Sequence, residues 1–242
     1  MKKFKDKSYR NFIKLYKEND ERWKFFFIGI ILAFISLIIF INIVQLYFKG
    51  KGSFKMDVSA INYFRYIESD SLSRIFKCIT YIGDPYTVII ITLIITVMLY
   101  LKKMKSESVF FAFNILGVAI FNELLKRSFR RDRPTVKIIE ATGYSFPSGH
   151  SMTFLAFAII LSYLILIYSK NKFKSYSISI GLIILAIAIG FSRVYLRVHY
   201  LSDVLAGWSA AMFWAGINIS IHRYSYYKKL LCNFFIVRIM NN

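Results

Sequence analysis

The chain has 242 residues, of which 57% are hydrophobic and 18% aromatic, well above the roughly 45–50% apolar content of an average soluble domain. This composition excludes an ordinary soluble domain and is typical of an integral membrane protein. The formal net charge of +20 would favour nucleic acid binding, but most basic residues flank apolar segments. Contact with the headgroups of anionic bilayer lipids explains that placement better, and no nucleic acid partner is expected.

Apolar segments close to the ~20 residues that a helix needs to cross a bilayer recur along the chain. The first is too long for a signal peptide and is followed by no small-residue cleavage site, so we expect it to remain as a span. The predicted fold is all-α, a polytopic membrane protein with six transmembrane helices and additional amphipathic helices on the outer surface. The six spans are predicted at about 25–48, 86–101, 108–125, 151–168, 177–192 and 204–221.

The predicted organisation is a single six-span domain, 25–221, between a basic cytoplasmic N-terminal tail, 1–24, and a cytoplasmic C-terminal tail, 222–242. Of the 33 Lys and Arg residues, 19 flank the predicted inner ends of the spans and 14 the outer ends, which favours both termini inside. The Lys- and Ile-rich composition is typical of a bacterium with AT-rich DNA, so we expect a bacterial cytoplasmic membrane. Cys78 and Cys232 would then lie on opposite sides, and no disulfide is expected.

The segment between the first two spans, 49–80, differs from the other connections because it is long and mixes apolar with charged residues. Its apolar residues recur near helical spacing, which predicts amphipathic helices lying on the outer surface. A loosely ordered loop is the alternative. Gly83-Asp84-Pro85 is expected to turn the chain into the second span.

A first polar cluster, LKRSFRRDRP, follows the third span. Lys126 and Arg133 are seven positions apart, nearly two helical turns, so an uninterrupted helix would carry both cations on one face until Pro134 ends it. Taken alone, such a run of cations is more often a solvated or headgroup-facing surface than a binding site.

A second cluster, PSGH, stands directly before the fourth span. Ser148 is a candidate N-cap, and Gly149 lets a ligand approach the backbone closely. The free amides of such a helix start bind anions, phosphate among them, and His150 would lie beside the anion as a proton donor or acceptor. A capped helix with an incidental interfacial histidine is the alternative.

The third cluster, SRVYLRVHYLSD, precedes the last span. His199 and Asp203 are four positions apart, so a carboxylate can hold one ring nitrogen and leave the other basic, as a nucleophile requires. Arg193 would point away from His199 on an unbroken helix, and a bend in the chain is therefore expected between the fifth and sixth spans. By itself, a His–Asp pair is a common structural contact.

Together the three clusters lie at one predicted membrane face and supply cations, a helix start and two histidines, which indicates phosphoryl transfer. They resemble the three-part signature of the type 2 phosphatidic acid phosphatase superfamily, K-x6-RP, PSGH and SR-x5-H-x3-D. Every spacing of that signature is kept. The matching residues are Lys126, Arg133-Pro134, Pro147-Ser148-Gly149-His150, Ser192-Arg193, His199 and Asp203.

The resemblance implies a mechanism. His199, oriented by Asp203, would attack phosphorus to form a phosphohistidine, and His150 would protonate the leaving oxygen and then help to activate water. No metal or other cofactor is implied, because the cations belong to the chain. The residues expected to bind the phosphoryl oxygens are Lys126, Arg133, Ser148, Gly149 and Arg193.

Small bacterial proteins of this type commonly act on undecaprenyl diphosphate or phosphatidylglycerophosphate. We expect a lipid phosphate or diphosphate to be hydrolysed at the outer face. Undecaprenyl diphosphate is favoured, because Arg127, Arg130 and Arg131 would be surplus cations for its second phosphate. The alternatives are a phosphatidylglycerophosphate phosphatase, a lipid phosphotransferase using the same intermediate, and a non-catalytic protein that binds anionic lipids. His222 matches no motif and is interpreted as an interfacial residue; the sequence does not indicate the oligomeric state.

Overall fold

The structure is a computed structural model that describes residues 23–50 and 54–239, with side chains described as far as Lys228. Over these residues it is all-helical. The predicted N-terminal tail, apart from its last residues, and the side chain of Cys232 lie outside the described part. In chain order the described helices are α1 (Lys24–Lys49), α2 (Lys55–Tyr66), α3 (Asp70–Ile82), α4 (Pro85–Leu101), α5 (Lys105–Phe129), α6 (Gly149–Tyr168), α7 (Lys172–Tyr195) and α8 (Leu201–Ile239).

Five of the described helices are long and apolar enough to cross a bilayer: α1, α5, α6, α7 and the Leu201–Lys228 part of α8. The sixth predicted span is α4, which forms with α3 a pair bent by 44°. Large apolar side chains are exposed on the outward faces of these helices, as contact with lipid requires; examples are Phe34, Leu93, Leu116 and Ile184. The predicted all-α polytopic fold is therefore confirmed.

The bundle is organised around α6, which packs against α5, α7 and α8. Its buried residues Met152 and Ile160 meet Phe111 of α5 and Ile189 of α7 in the main core. Helix α1 runs along α8, and small residues allow the two backbones to approach, since a Cβ added to Gly29 would lie 2.6 Å from the carbonyl oxygen of Gly216.

The predicted amphipathic segment forms α2 and α3, which cover one end of the bundle. Phe76 of α3 and Phe64 of α2 contact the ring of Tyr195 at the end of α7, with centroid separations of 4.4 and 5.8 Å. The expected turn follows α3, where the Asp84 side chain accepts a hydrogen bond from the amide of Tyr86 and caps α4. The end of the bundle that α2 and α3 cover is the end at which the three polar clusters meet.

Two helix boundaries differ from prediction. Helix α5 ends at Phe129 rather than at Pro134, because Arg130 adopts a left-handed conformation with φ of 48° and donates its amide to the carbonyl of Lys126. Arg133 therefore lies in a loop and not on the helical face of Lys126. The predicted bend between α7 and α8 is present, but it includes His199, so His199 precedes α8 while Asp203 lies in its first turn.

The predicted C-terminal tail, 222–242, is helical as far as Ile239. Because α8 continues to Ile239, residues 222–239 form a helical extension of the last span.

Candidate active site

The three polar clusters converge on one cavity of about 890 Å³. From its polar end the cavity continues between α4 and α5 past apolar side chains as far as Leu93 and Ala112. A polar end joined to an apolar flank fits an amphiphilic ligand. The predicted site residues that line the cavity are Lys126, Arg133, Gly149, His150, Arg193 and His199.

The imidazole of His199 is buried and held from both sides. Its Nε2 atom lies 3.0 Å from Nη1 of Arg133, and a guanidinium group can only donate, so Nε2 must carry the lone pair. The ring proton is therefore on Nδ1, which donates to Oδ2 of Asp203 at 3.4 Å. This tautomer leaves Nε2 unprotonated, and His199 is among the residues that line the cavity.

The electrostatic surroundings favour the neutral form of this ring. Burial lowers the pKa of His199 well below its ordinary value of 6.5, and the cations Arg133, Arg193 and Lys126 lower it further. Since the imidazolium form is disfavoured, His199 is an unprotonated base at neutral pH, as nucleophilic attack requires.

Asp203 is fully buried behind His199. Its Oδ2 atom also accepts the backbone amide of Tyr200 at 2.9 Å, and its Oδ1 atom accepts a hydrogen bond from Nη1 of Arg131. The carboxylate is thus fixed on both oxygens, and its interaction with Nδ1 of His199 fixes the ring orientation.

Arg133 is held by the loop between α5 and α6. Its Nε atom donates to the carbonyl of Gly143 at 2.9 Å and its Nη2 atom to the carbonyl of Thr142 at 2.9 Å, while Nη1 also reaches the carbonyl of Val198 at 2.7 Å. Hydrogen bonds to backbone carbonyls therefore hold this guanidinium group beside His199. Burial lowers the pKa of Arg133 from its ordinary value, and the charge of Asp203 partly offsets this effect.

Two further cations come from helix ends. Arg193, at the end of α7, is buried and donates through Nη1 to the hydroxyl of Thr80 in α3 at 2.7 Å. Among the described residues its Nε atom is buried and has no hydrogen-bond partner, and the side chain lines the cavity. Lys126, in the last turn of α5, lines the same cavity. The cations of the site thus surround the lone pair of His199.

Residues of the PSGH segment have two roles: two of them line the cavity, and Ser148 joins two helices. His150 and Gly149 line the cavity, and a Cβ added to Gly149 would lie 3.0 Å from Oδ1 of Asn122 and 3.6 Å from Nζ of Lys126. Ser148 is the N-cap residue of α6, as predicted, but its side chain makes no capping bond. Its amide donates to the carbonyl of Asp203 and its hydroxyl accepts from Ser151, so Ser148 joins α6 to α8.

The three surplus arginines do not form the predicted second phosphate subsite. Arg131 is buried and donates to the carboxylates of Asp57 and Asp203. Arg127 is exposed and pairs with Glu123, while the Nε atom of Arg130 donates to the carbonyl of Arg127. None of the three is among the residues that line the cavity.

Sequence reasoning missed several residues at or behind the site. Asp84 lies with its Oδ1 atom 3.8 Å from Nε2 of His150. Asn122 lies beside Gly149, and Asp57 and Arg131 stand behind Asp203. The turn Gly83-Asp84-Pro85 was recognised as a turn, but nothing in its spacing to PSGH shows that it meets His150.

Known proteins with similar sequences are phosphatases by name. The chain is 37% identical over 98 residues to phosphatidylglycerophosphatase B of Bacillus subtilis, a match that covers 38% of this chain but only 47% of that protein. It is 24% identical over 214 residues to undecaprenyl-diphosphatase of Sulfolobus acidocaldarius, covering 86% of this chain and 96% of that protein. A lipid A 4'-phosphatase of Porphyromonas gingivalis is 27% identical over 144 residues, which is 52% of this chain and 57% of that protein.

Solved structures share the fold. A crystal structure of a transmembrane PAP2 type phosphatidylglycerolphosphate phosphatase from Bacillus subtilis matches with a TM-score of 0.66 at 22% identity, covering 83% of this chain and 96% of that one. The crystal structure of Aquifex aeolicus LpxE matches with a TM-score of 0.56 at 20% identity, covering 69% of this chain and 96% of that one. At these identities the likeness concerns the fold, which is that of a multi-pass membrane protein.

A sequence profile of the PAP2 superfamily matches residues 107–227, half of the chain. The chain therefore belongs to the PAP2 superfamily, the family of type 2 phosphatidic acid phosphatases that its three motifs resemble. Helices α2 and α3, which supply Asp57 and Thr80, lie before the matched region.

Proposed function

We propose that the protein is a membrane phosphatase that hydrolyses a lipid phosphate through a phosphohistidine at His199. The observation that carries the proposal is the 3.0 Å contact between Nε2 of His199 and Nη1 of Arg133, beside a cavity that Lys126 and Arg193 also line. A neutral, oriented base surrounded by cations is suited to attack an anionic phosphoryl group.

In the first step, the Nε2 lone pair attacks phosphorus while the bond from phosphorus to the lipid oxygen breaks. His150 gives a proton to that oxygen. The imidazole of His199 becomes positively charged on phosphorylation, and Asp203 stabilises it through Nδ1. Arg133, Lys126 and Arg193, with the free amides at the start of α6, compensate charge on the phosphoryl oxygens.

In the second step, His150 accepts a proton from water, and the resulting hydroxide attacks phosphorus. The bond between phosphorus and Nε2 breaks, inorganic phosphate forms and His199 returns to its neutral state. Both steps use charges that belong to the chain, so we propose that turnover needs no metal ion.

The lining of the cavity favours a phosphomonoester. Its cations suffice for one phosphoryl group, and the other acidic or basic side chains along the lining, apart from the histidines, are the carboxylates Asp84, Glu140 and Glu123, of which Glu123 pairs with Arg127. A second phosphate on the leaving group would be repelled there. We therefore favour a lipid phosphomonoester, such as phosphatidylglycerophosphate, with its chain in the apolar cleft between α4 and α5.

Undecaprenyl diphosphate is the second candidate. It is supported by the similarity to undecaprenyl-diphosphatase of Sulfolobus acidocaldarius, which extends over 96% of that protein. It has lost the support expected from the three surplus arginines, since none of them lines the cavity.

Phosphate release from purified full-length protein in detergent tests these assignments. The panel contains phosphatidylglycerophosphate, phosphatidic acid and undecaprenyl diphosphate, each with and without EDTA. We expect release from the monoesters, with kcat/KM at least ~10-fold above the diphosphate and unchanged by EDTA. Preference for the diphosphate would overturn the substrate assignment. Loss of activity with EDTA would overturn the metal-free mechanism, and lipid binding without phosphate release would overturn the phosphatase activity itself.

A lipid phosphotransferase would use the same intermediate. Adding candidate lipid or sugar acceptors to the same reaction distinguishes the two activities. Hydrolysis predicts that all of the cleaved phosphate appears as inorganic phosphate, whereas a phosphorylated acceptor would contradict it.

We further propose that the site opens to the extracytoplasmic side of a bacterial cytoplasmic membrane, with both termini inside. The basic flanks support this orientation. In a cysteine-free background, Asp70→Cys marks the end of the bundle with the site, and Lys170→Cys marks the opposite end; both positions are exposed. In intact cells a membrane-impermeant maleimide should label only the first variant. Labelling of only the second would reverse the orientation.

A further inference from the structure

A row of buried charges stands behind the His199–Asp203 pair. Arg131 donates through Nη2 to Oδ2 of Asp57 at 2.7 Å and through Nη1 to Oδ1 of Asp203. Asp57 is 2% exposed, Arg131 6% and Asp203 0%. One guanidinium thus bridges two carboxylates, one of which holds the nucleophile.

Removing three charges from water is costly, and a buried ion pair of this kind contributes little net stability compared with apolar packing. The network is nevertheless tightly specified. The guanidinium of Arg131 lies 4.0 Å from the ring centroid of Tyr200 and 5.3 Å from that of Phe54, so aromatic rings fix its plane. A group held this closely is suited to set the geometry and charge of its neighbours.

Asp57 also holds the start of α8. Its Oδ1 atom accepts the amide of Ser202 at 2.8 Å, and its Oδ2 atom accepts the hydroxyl of Ser202 at 2.7 Å. The residue after Ser202 is Asp203. A single carboxylate on α2 therefore fixes both the backbone that carries Asp203 and the cation that contacts it.

We propose that Asp57 and Arg131 are positioning residues for catalysis, which hold Asp203 in place and share its charge so that His199 remains a strong nucleophile. This inference rests on the proposed role of His199. Because Arg131 divides its charge between two carboxylates, Asp203 keeps enough negative charge to stabilise the phosphorylated imidazole. The helix that carries Asp57 lies outside residues 107–227, so part of the catalytic apparatus precedes the family-matched segment.

Other charges also act on His199 from each neighbouring element. They are Asp84 before α4, Glu123 and Lys126 of α5, Arg133 and Glu140 of the following loop, His150 of α6, Arg193 of α7 and Asp203 of α8. None of these is altered in the variants below, so any change in pH dependence is attributable to the network.

The first test is Asp57→Asn, which keeps the shape and removes the charge. We expect kcat to fall roughly 10–100-fold, as for other residues that orient a catalytic group, while KM stays within about threefold because the phosphate-binding cations are untouched. With one negative charge lost, His199 becomes harder to protonate. The acidic limb of kcat/KM should therefore move to lower pH, by roughly half a unit.

The second test is Arg131→Gln, which removes the positive charge instead. The imidazolium form of His199 is then less disfavoured, and the acidic limb should move to higher pH. Opposite displacements by the two variants are the signature of charge sharing, since loss of packing alone would move neither limb.

The matched control is Glu68→Gln. Glu68 pairs with Arg197 at 2.8 Å and also ties the α2–α3 segment to the α7–α8 connection, without contacting Asp203. We expect its kcat within about twofold of the unmodified protein and an unmoved pH profile.

Circular dichroism and thermal unfolding in detergent establish whether each variant folds. If Asp57→Asn does not fold, Asp57→Glu keeps the charge but displaces the carboxylate, and it should lower kcat without moving the limb. A folded Asp57→Asn protein with unchanged kcat would overturn the inference. A loss of kcat in both charge variants, with the acidic limb of kcat/KM unmoved in each, would overturn it as well. Activity retained by His199→Asn would instead overturn the proposed function.

Discussion

The two ends of the bundle both contain a histidine near a tyrosine, a carboxylate and an arginine, yet in the described part of the chain only one of these two histidines lines the cavity where the polar clusters meet. At the end opposite the cavity, Nδ1 of His222 lies 2.7 Å from the hydroxyl of Tyr163, and its ring stacks on Phe110 at 4.1 Å. Nearby, the hydroxyl of Tyr168 donates to Glu107. These contacts join α6 to α8 and α6 to α5.

At the cavity end the arrangement is different in kind. The basic nitrogen of His199 contacts Nη1 of Arg133, a donor that a phosphate can also use, and Lys126 and Arg193 line the same cavity. What distinguishes the proposed catalytic cluster from a structural one is therefore not the residue types but a basic ring nitrogen and several cations beside a cavity. Substitutions at the two ends should differ accordingly.

The largest difference is expected between the two histidines. His199→Asn removes the proposed nucleophile, and kcat should fall by about 10⁴-fold or more. His222→Asn should leave kcat within about threefold, since it affects only the structural end. Both values of kcat are measured by phosphate release at saturating substrate. Equal losses of kcat in the two variants would contradict the difference between the two ends.

A smaller loss is expected from Arg193→Gln. Removing one cation from the transition state should lower kcat/KM by ~10²–10³-fold and weaken competitive inhibition by inorganic phosphate. The control is Arg197→Gln on the same connection, whose side chain pairs with Glu68 instead of facing the cavity. Equal effects of the two arginine variants would mean that Arg193 does not bind phosphate.

Gly149→Ala tests the close approach at the start of α6. The added methyl group would crowd Oδ1 of Asn122 and come into contact with Nζ of Lys126, and kcat/KM should fall roughly tenfold through a small displacement of the phosphate pocket. Gly181→Ala on α7 is the matched control, because the added Cβ would lie within 4 Å of no described atom outside the adjacent residues and the backbone of its own helix. A neutral Gly149→Ala variant would indicate that the phosphate does not approach this backbone.

The smallest effect on activity is expected from Tyr163→Phe. It leaves Nδ1 of His222 without its partner and should lower the free energy of unfolding by about 1–2 kcal/mol. The rate of phosphate release should stay within about twofold, and thermal unfolding in detergent measures the stability. A large loss of activity with unchanged stability would show that the structural end is coupled to catalysis.

Much of the cavity end could be predicted from sequence, because each motif carries its own local geometry. The length of the apolar segments predicts the spans, and the four-residue spacing of His199 and Asp203 predicts the contact between their side chains. The end of α5 could not be predicted, since nothing before Pro134 breaks the helical pattern; the reversal at Arg130 is maintained by tertiary contacts of the following loop. Arg131 consequently looked like a spare phosphate ligand, although it is a buried partner of Asp203.

Asp57 shows why the residues behind Asp203 could not be predicted from the sequence. An aspartate on an amphipathic helix among charged neighbours has the pattern of a solvated residue. Its partners Arg131 and Ser202 lie 74 and 145 positions away. Only the fold, which lays α2 over the start of α8, brings them together.

The most direct test of the account is to trap the phosphoenzyme. Full-length protein is mixed with lipid substrate carrying ³²P in the cleaved phosphate, quenched in base within the first turnover, and digested for mass spectrometry. The account predicts a phosphoryl group on Nε2 of His199 that is stable in base and lost in acid, and absent from His199→Asn. Label on any other residue, or turnover with inversion of configuration at phosphorus and no labelled protein, would contradict it.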